Sequence, residues 1–310
     1  MAVSQKTIDA VSYMKALDLR TASESDIRSA LQMVNNTALL TSDFPVGNSI
    51  ARARCVRDFT GSNIYRERDI SYSPNPKWVG VGRANMAEQP VFYGVSMVDM
   101  TGTVQPRVIS YAETSTLISD DSIEEGEEFV VIGRWRVIEP FKVVWFVHNQ
   151  SFNQPDPHLP EFRKSYDTVA GKLENYEDSL YINEALASEF AKEVAPGNGY
   201  AYGVTSVIGK YLLEELECDA VGFPSVKAEG NGLNLAIHPR VLDAGKMKLE
   251  VVLVEKAYRF GKQYIASPYL MCNKFRQDGS FMYELNLDHK EMTKEELRGV
   301  LLAQGYNLSE

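Results

Sequence analysis

An α+β fold, with α/β as the alternative, is what three features of the sequence predict. Runs of strand composition, rich in Val, Ile, Phe and Trp, occur at 129–138, 142–148 and 246–260. Stretches of helical period stand before, between and after them. The hydrophobic share of 44% and the charged share of 24% are those of a globular chain, long enough at 310 residues to bury a sizeable core.

The elements follow in order. Ile8, Val11, Met14 and Leu17 recur at helical spacing. Thr21-Ala-Ser-Glu24 has capping-box spacing ahead of Ile27, Leu31 and Val34. Residues 1–45 are therefore expected to be a helical segment, broken at Phe44-Pro-Val-Gly-Asn48. Pro90-Val-Phe-Tyr-Gly94 reads as a short buried strand, and 106–117 as a helix with Val108, Ile109 and Ala112 inward. The acidic run 120–128 reads as a solvated loop. After the strands at 129–138 and 142–148, residues 150–160 read as loop. Helices are expected at 161–176 and 183–195, the second stopped by Pro196-Gly-Asn-Gly199. A third helix covers 204–216, a short strand 220–223 and a long strand 246–260. A last helix starts at Thr293-Lys-Glu-Glu296, which again has capping-box spacing.

Composition narrows the function. A net charge of −10 repels phosphate backbones and disfavours nucleic acid as a partner, although a local basic pocket can still take a small phosphorylated ligand. Cys55, Cys218 and Cys272 are odd in number and lack C-x-x-C spacing, which points to neither a disulfide framework nor a zinc site. His148, His158, His238 and His289 show no metal spacing. The first fifteen residues lack the apolar core of a signal peptide, and apolar runs such as Val143–Val147 are strand-length. A cytoplasmic protein without membrane contact is expected. Gly80-Val-Gly82 lacks the third glycine of a dinucleotide fingerprint, and no Walker motif or G-x-S-x-G elbow is present.

Four segments carry chemistry. They are Ile50-Ala-Arg-Ala-Arg54, then Val81-Gly-Arg-Ala-Asn85 followed by Pro90-Val-Phe-Tyr-Gly94, then Ile109-Ser-Tyr-Ala-Glu113, and finally Gly222-Phe-Pro-Ser-Val226 running into Gly230-Asn-Gly-Leu-Asn-Leu235. In this order they resemble the RES domain, a family named for its Arg, Glu and Ser. Its pattern is an arginine strand, G-R-x-N, a short strand ending in Tyr, a helix carrying Glu, and a Y/F-P-S turn before a Gly-rich segment and N-L. Residues 49–118 and 180–240 carry the resemblance.

The resemblance implies an ADP-ribosyltransferase-like mixed sheet core with added helices, spanning 46–265 with an insertion near 150–180. It leaves 266–310 as a C-terminal extension. It implies that NAD is a substrate rather than a cofactor, cleaved at its nicotinamide–ribose bond by a glycohydrolase or phosphorylase, with no metal. Compact members are toxins held by an antitoxin, so an antitoxin protein is an implied partner. Glu113, Arg83 and Ser225 take the catalytic positions, and Arg52, Tyr93, Asn85 and Asn234 those that contact or shape the NAD site. The spacings depart from the compact toxins: Tyr93 to Glu113 is 20 residues and Glu113 to Ser225 is 112, both longer. These additions leave the oligomeric state and regulation open.

The residue types suit that chemistry. A pyrophosphate needs fixed positive charge, and arginine meets it with paired, charge-assisted hydrogen bonds. Breaking an N-glycosidic bond passes through an oxocarbenium-like state that a carboxylate stabilises. Tyr93 offers a ring for nicotinamide and Ser225 a hydroxyl for its amide or a ribose oxygen. Water, phosphate or a macromolecule can each serve as acceptor, the last making an ADP-ribosyltransferase. A non-catalytic binding module with the same fold is the alternative of another class.

Overall fold

The computed structural model describes residues 2–34, 37–60, 63–97, 105–120, 122–148, 152, 158–195, 197–285 and 293–306. Its strands are β1 (Leu40–Phe44), β2 (Ser49–Val56), β3 (Phe92–Ser96), β4 (Glu125–Val137), β5 (Phe141–Trp145), β6 (Ala220–Pro224), β7 (Leu233–Ile237), β8 (Met247–Phe260), β9 (Gln263–Cys272) and β10 (Glu284–Leu285). Its helices are α1 (Gln5–Lys15), α2 (Glu24–Met33), α3 (Pro106–Thr114), α4 (Thr116–Ser119), α5 (Leu159–Ala170), α6 (Tyr176–Phe190), α7 (Gly203–Lys210), α8 (Pro239–Asp243) and α9 (Lys294–Ala303). All ten strands join one open sheet in the order β1-β5-β6-β7-β3-β2-β4-β8-β9-β10. Every pairing is antiparallel except β5 with β6. The fold is mixed α+β.

The sheet is buried on both sides at its centre. In and just after β5, past the exposed Lys142, the run Val143–Val147 alternates between two cores, with Val143 and Trp145 on one face and Val144 and Phe146 on the other. Hence the run is continuously apolar, as a strand covered on both faces must be. On the second face, α1, α2, α6 and α7 bury Val11, Ile27, Leu186 and Val207 against Val221 and Ala236. The first face packs Ile50, Phe92, Trp135 and Leu235 together. Paired residues share a face. Ala51 pairs with Val95, and Val95 with Asn234, which sits two residues from Ala236. Helix α3, packed on Ala51 and Ala53 through Tyr111, therefore lies on the same face as α6 and α7.

One irregularity organises the rest. β2 pairs with β4 along its whole length, Ser49 to Val56, but with β3 only at Ile50↔Ser96 and Ala51↔Val95. Beyond Ala51 the sheet opens into a gap between β2 and β3, with α3 on one side of it and α6 and α7 on the other.

Several expectations shift. The segment 1–45 is helical to Met33 and then supplies β1, which pairs with β5 at the sheet edge. The N-cap near residue 21 is Ser23, whose partner is Asp26. The acidic run is not all loop: Glu125 begins β4 and pairs with Phe260 of β8, while Glu128 is buried and takes a hydrogen bond from Ser115 Oγ. Ser115 also ends α3 and caps α4, splitting the expected single helix, and Val108 is exposed. Near 150–180 the helices are α5 and α6, separated by 171–175, whereas the expected loop at 150–160 lies mostly outside the described residues. The expected boundary at 265 falls inside β9. Thr293 caps α9 with Glu296, as its spacing predicts. Among the described residues no helix is long and apolar enough to cross a membrane.

Candidate functional site

The gap between β2 and β3 leads into a cavity of about 320 Å³, lined by Arg52, Arg83, Tyr93, Ser110, Glu113, Thr114, Tyr202, Phe223 and Asn234 among others. Residues far apart in the sequence meet here because four elements end at this place.

Glu113 stands on the last turn of α3. Pro106 starts that helix at a position whose N–H needs no partner. Ile109 and Tyr111 bury the inner face, leaving Ser110 and Glu113, three apart, on the face toward the cavity. Ser225 follows Pro224 at the end of β6, and its Oγ donates to Glu113 Oε1 at 2.6 Å. Asn234 Nδ2, from β7, donates to the same oxygen at 2.8 Å. The turn between β6 and β7 closes through Ser225 N to Gly232 O at 2.9 Å. Gly232 has φ +81°, and a Cβ on it would meet Ile109 Cδ1 at 2.5 Å. Only glycine lets this turn rest on α3 and bring Ser225 to the carboxylate.

Arg83 sits on the turn before β3. Its Nη1 donates to Phe190 O at 2.6 Å and Lys192 O at 2.9 Å, the carbonyls at the C-terminal end of α6. A helix end of this kind carries partial negative charge and favours a cation. The guanidinium lies 5.0 Å from the Tyr202 ring and 5.9 Å from that of Phe223. Its Nε and Nη2 donors have no partner among the described residues.

Arg52 belongs by strand alternation to the opposite face, where it lies 5.0 Å from the Phe92 ring. The gap lets its Nη1 reach Tyr93 O at 2.7 Å. Its Nε is buried without a partner. Burial, with Arg54 nearby, pulls this guanidinium down to about 10, so it stays charged at neutral pH. Tyr93 donates from its hydroxyl to Asn85 Oδ1 at 2.8 Å and accepts from Ala84 N at 2.8 Å. Burial pushes that phenol well above its ordinary value, which keeps it protonated.

Six of the seven residues expected from the sequence thus converge: Arg52, Arg83, Tyr93, Glu113 and Asn234 line the cavity, and Ser225 bonds the carboxylate from behind. Asn85 stands apart. It is buried, and its Nδ2 donates to Gly80 O and Met86 O, so it shapes the turn that carries Arg83 rather than lining the cavity. The sequence reading passed over Tyr202, Phe223, Ser110 and Thr114. Ser110 was available from its helical spacing to Glu113, and Phe223 from its place beside Ser225. Tyr202 lay hidden in Tyr200-Ala-Tyr-Gly203, between the helix stop at Pro196–Gly199 and the helix expected from 204, where no motif marks it.

Among the described residues no group of three or more His, Cys, Asp or Glu is placed to hold a metal ion. The three cysteines are free. No model of a known protein family matches the chain, and no curated protein matches it either.

Proposed function

We propose that this protein cleaves the nicotinamide–ribose bond of NAD, on a sheet of the ADP-ribosyltransferase kind. The observation that carries the reading is Glu113: one carboxylate oxygen is fixed by Ser225 and Asn234, the other is unpartnered among the described residues, and two arginines with unused donors line the same cavity.

Each group then has a task. Departure of nicotinamide takes the bonding electron pair to the ring nitrogen, which loses its formal positive charge, and leaves an oxocarbenium-like ribosyl centre. The Glu113 carboxylate stabilises that charge. Two donors on Oε1 fix its rotamer before substrate arrives. The free N–H groups of Arg83, and Arg52 Nε, suit pyrophosphate oxygens. The Tyr93 ring offers a flat wall to nicotinamide. The acceptor oxygen bonds to the ribosyl carbon and gives its proton to solvent, yielding ADP-ribose from water or ADP-ribose-1″-phosphate from phosphate.

The test is direct. Purified protein is incubated with NAD, with and without inorganic phosphate, and the products are separated. Release of nicotinamide together with one of these two products supports the reading and names the acceptor. Intact NAD in both mixtures, from protein shown to be folded, refutes it.

A further inference from the structure

We infer that a second cavity, between α2, α6 and α7, is a binding site for an uncharged, largely apolar small molecule. It shares no lining residue with the cavity at Glu113, and the inference does not depend on the NAD reading.

This cavity has a volume of about 470 Å³, larger than the 320 Å³ at Glu113. Its main wall comes from three pairs of residues four apart, Val207-Ile208, Tyr211-Leu212 and Glu215-Leu216. That spacing sets them on one helix face. The helix is not regular there. After Lys210 it widens into a π turn, Tyr211–Glu215, closed by Leu216 N to Tyr211 O at 3.0 Å. Such turns are rare and gather at functional sites. Leu31 and Val34 line the cavity from the end of α2, Leu186 from α6 and Phe146 from just after β5. Val34, Leu186, Ile208 and Leu212 are buried, so the space reaches into the core. Water gains no hydrogen bonds from walls of this kind, whereas an apolar ligand supplies the contacts they lack.

The charges beside the cavity are already matched. Arg28 donates from Nε to Glu24 Oε1 at 2.9 Å and from Nη2 to Glu215 Oε1, and Lys210 Nζ donates to Glu24 Oε1 at 2.9 Å. Lys210 and Arg28 hold the Glu24 carboxyl below its ordinary value, and Arg28 does the same for Glu215, so both carboxylates are ionised at neutral pH. Two cations against two anions leave no net charge to select a charged ligand. Thr37 Oγ1 is spent as well, donating to Ser179 O at 3.1 Å and accepting from Asn183 Nδ2 at 2.8 Å. Gln32 and Tyr211 line the cavity and are exposed, so they can meet a neutral hydroxyl or amide on the ligand. A carboxylate or ammonium drawn inside would give up its water without a partner.

The site is tested with 1-octanol, octanoate and octylamine, chains of one length that differ in charge. Calorimetry is expected to show one octanol bound per protein chain, with the two charged ligands at least about tenfold weaker. In methyl-labelled protein, octanol should shift the NMR signals of Ile208 and Leu212 and spare that of Val95, which lines the cavity at Glu113. Ile208→Phe, which fills the space, should abolish octanol binding. Wild type that does not bind octanol overturns the site, and equal binding of all three ligands overturns its preference for uncharged ones. Shifts centred on Val95, or a folded Ile208→Phe protein that still binds octanol, place the ligand elsewhere and overturn the assignment. So does a dimer in sedimentation whose formation shifts the Leu216 methyl signals, since a second copy then covers the cavity. The wild-type measurements decide the matter even if Ile208→Phe does not fold.

Discussion

At the scale of single residues, the two charged groups at the centre of the site differ in what else they hold. Glu113 accepts from Ser225 and Asn234 through one oxygen. A glutamine there keeps an acceptor for both, so Glu113→Gln is expected to melt close to wild type and to lose NAD cleavage. Arg83 is different. It joins the turn before β3 to the end of α6 through two carbonyls, and Arg83→Ala leaves both without that donor. We expect it to lose cleavage and also about 1–2 kcal/mol of stability in urea unfolding. A folded Glu113→Gln protein with full turnover, or an Arg83→Ala protein as stable as wild type, contradicts these roles. Both positions were legible in the sequence because each sits in a short motif whose residue types suit the chemistry. The partners of Arg83 were not, because they are main-chain carbonyls more than a hundred residues away, and any residue supplies a carbonyl.

At the scale of elements, close approach and charge pairing keep the site in shape. Gly209 of α7 rests on the turn that carries Arg83: a Cβ there would stand 2.2 Å from Ala84 O. Alanine would favour the helix by up to about 1 kcal/mol. The clash is with main chain that cannot swivel aside, and overpacking of this sort costs about 1–3 kcal/mol. Gly209→Ala should therefore be destabilised and slower at NAD cleavage, and a gain in its urea midpoint would show the contact to be slack. Asp219 precedes β6 and gathers Lys142 N at 3.0 Å, Arg240 Nε at 3.4 Å and Lys246 Nζ at 3.5 Å. Burial works against its charge, but these partners outweigh burial and hold its carboxyl below the usual aspartate range. A depressed acid stabilises the fold above its unfolded value and loses that contribution as pH falls through the folded value. Asp219→Asn should thus be less stable than wild type at neutral pH, with the gap closing below about pH 4. A gap that persists at pH 2 rules this out. Element boundaries were the least legible level. The acidic run hid the start of β4 because Glu125 and Glu127 point outward in the strand, while Glu128 turns inward to Ser115. The break between α5 and α6 was spelled by Gly171 and Asn175, yet apolar spacing alone runs through it.

At the scale of the whole molecule, the N-terminal segment belongs to the same body as the site. α1 and α2 bury Ala10, Val11, Met14, Ile27 and Ala30 in the core that α6 and α7 share, and β1 stacks Phe44 on Phe141 at 5.3 Å. Trimming residues 1–44 is expected to unfold or aggregate the protein rather than release activity, as followed by circular dichroism. A trimmed protein that folds and cleaves NAD faster would show that this segment restrains the enzyme instead. The C-terminal helix differs, since Leu297 and Leu301 of α9 pack on Tyr258 and Phe260, none of which line the cavity. Fold class was legible at this scale because long apolar runs and capping signals are local. The sheet order was not, because it joins β1 to β5 and β3 to β7 across distant parts of the chain.

The narrow seam between β2 and β3 has a consequence for how the molecule breathes. Two pairs of facing residues join halves that are otherwise held by long ladders such as β4 with β8. The main-chain amides turned toward the gap lack strand partners there, so they should trade their hydrogens for deuterium well before those of β4 and β8, which open only with the whole domain. A ligand seated between Arg52 and Tyr93 spans the two halves and should slow that exchange on both lips of the seam at once. Peptides covering 49–56 and 90–97 would report it by mass spectrometry. Slowing on one lip alone would mean that the ligand rests on a single half and that the sheet opens independently of it.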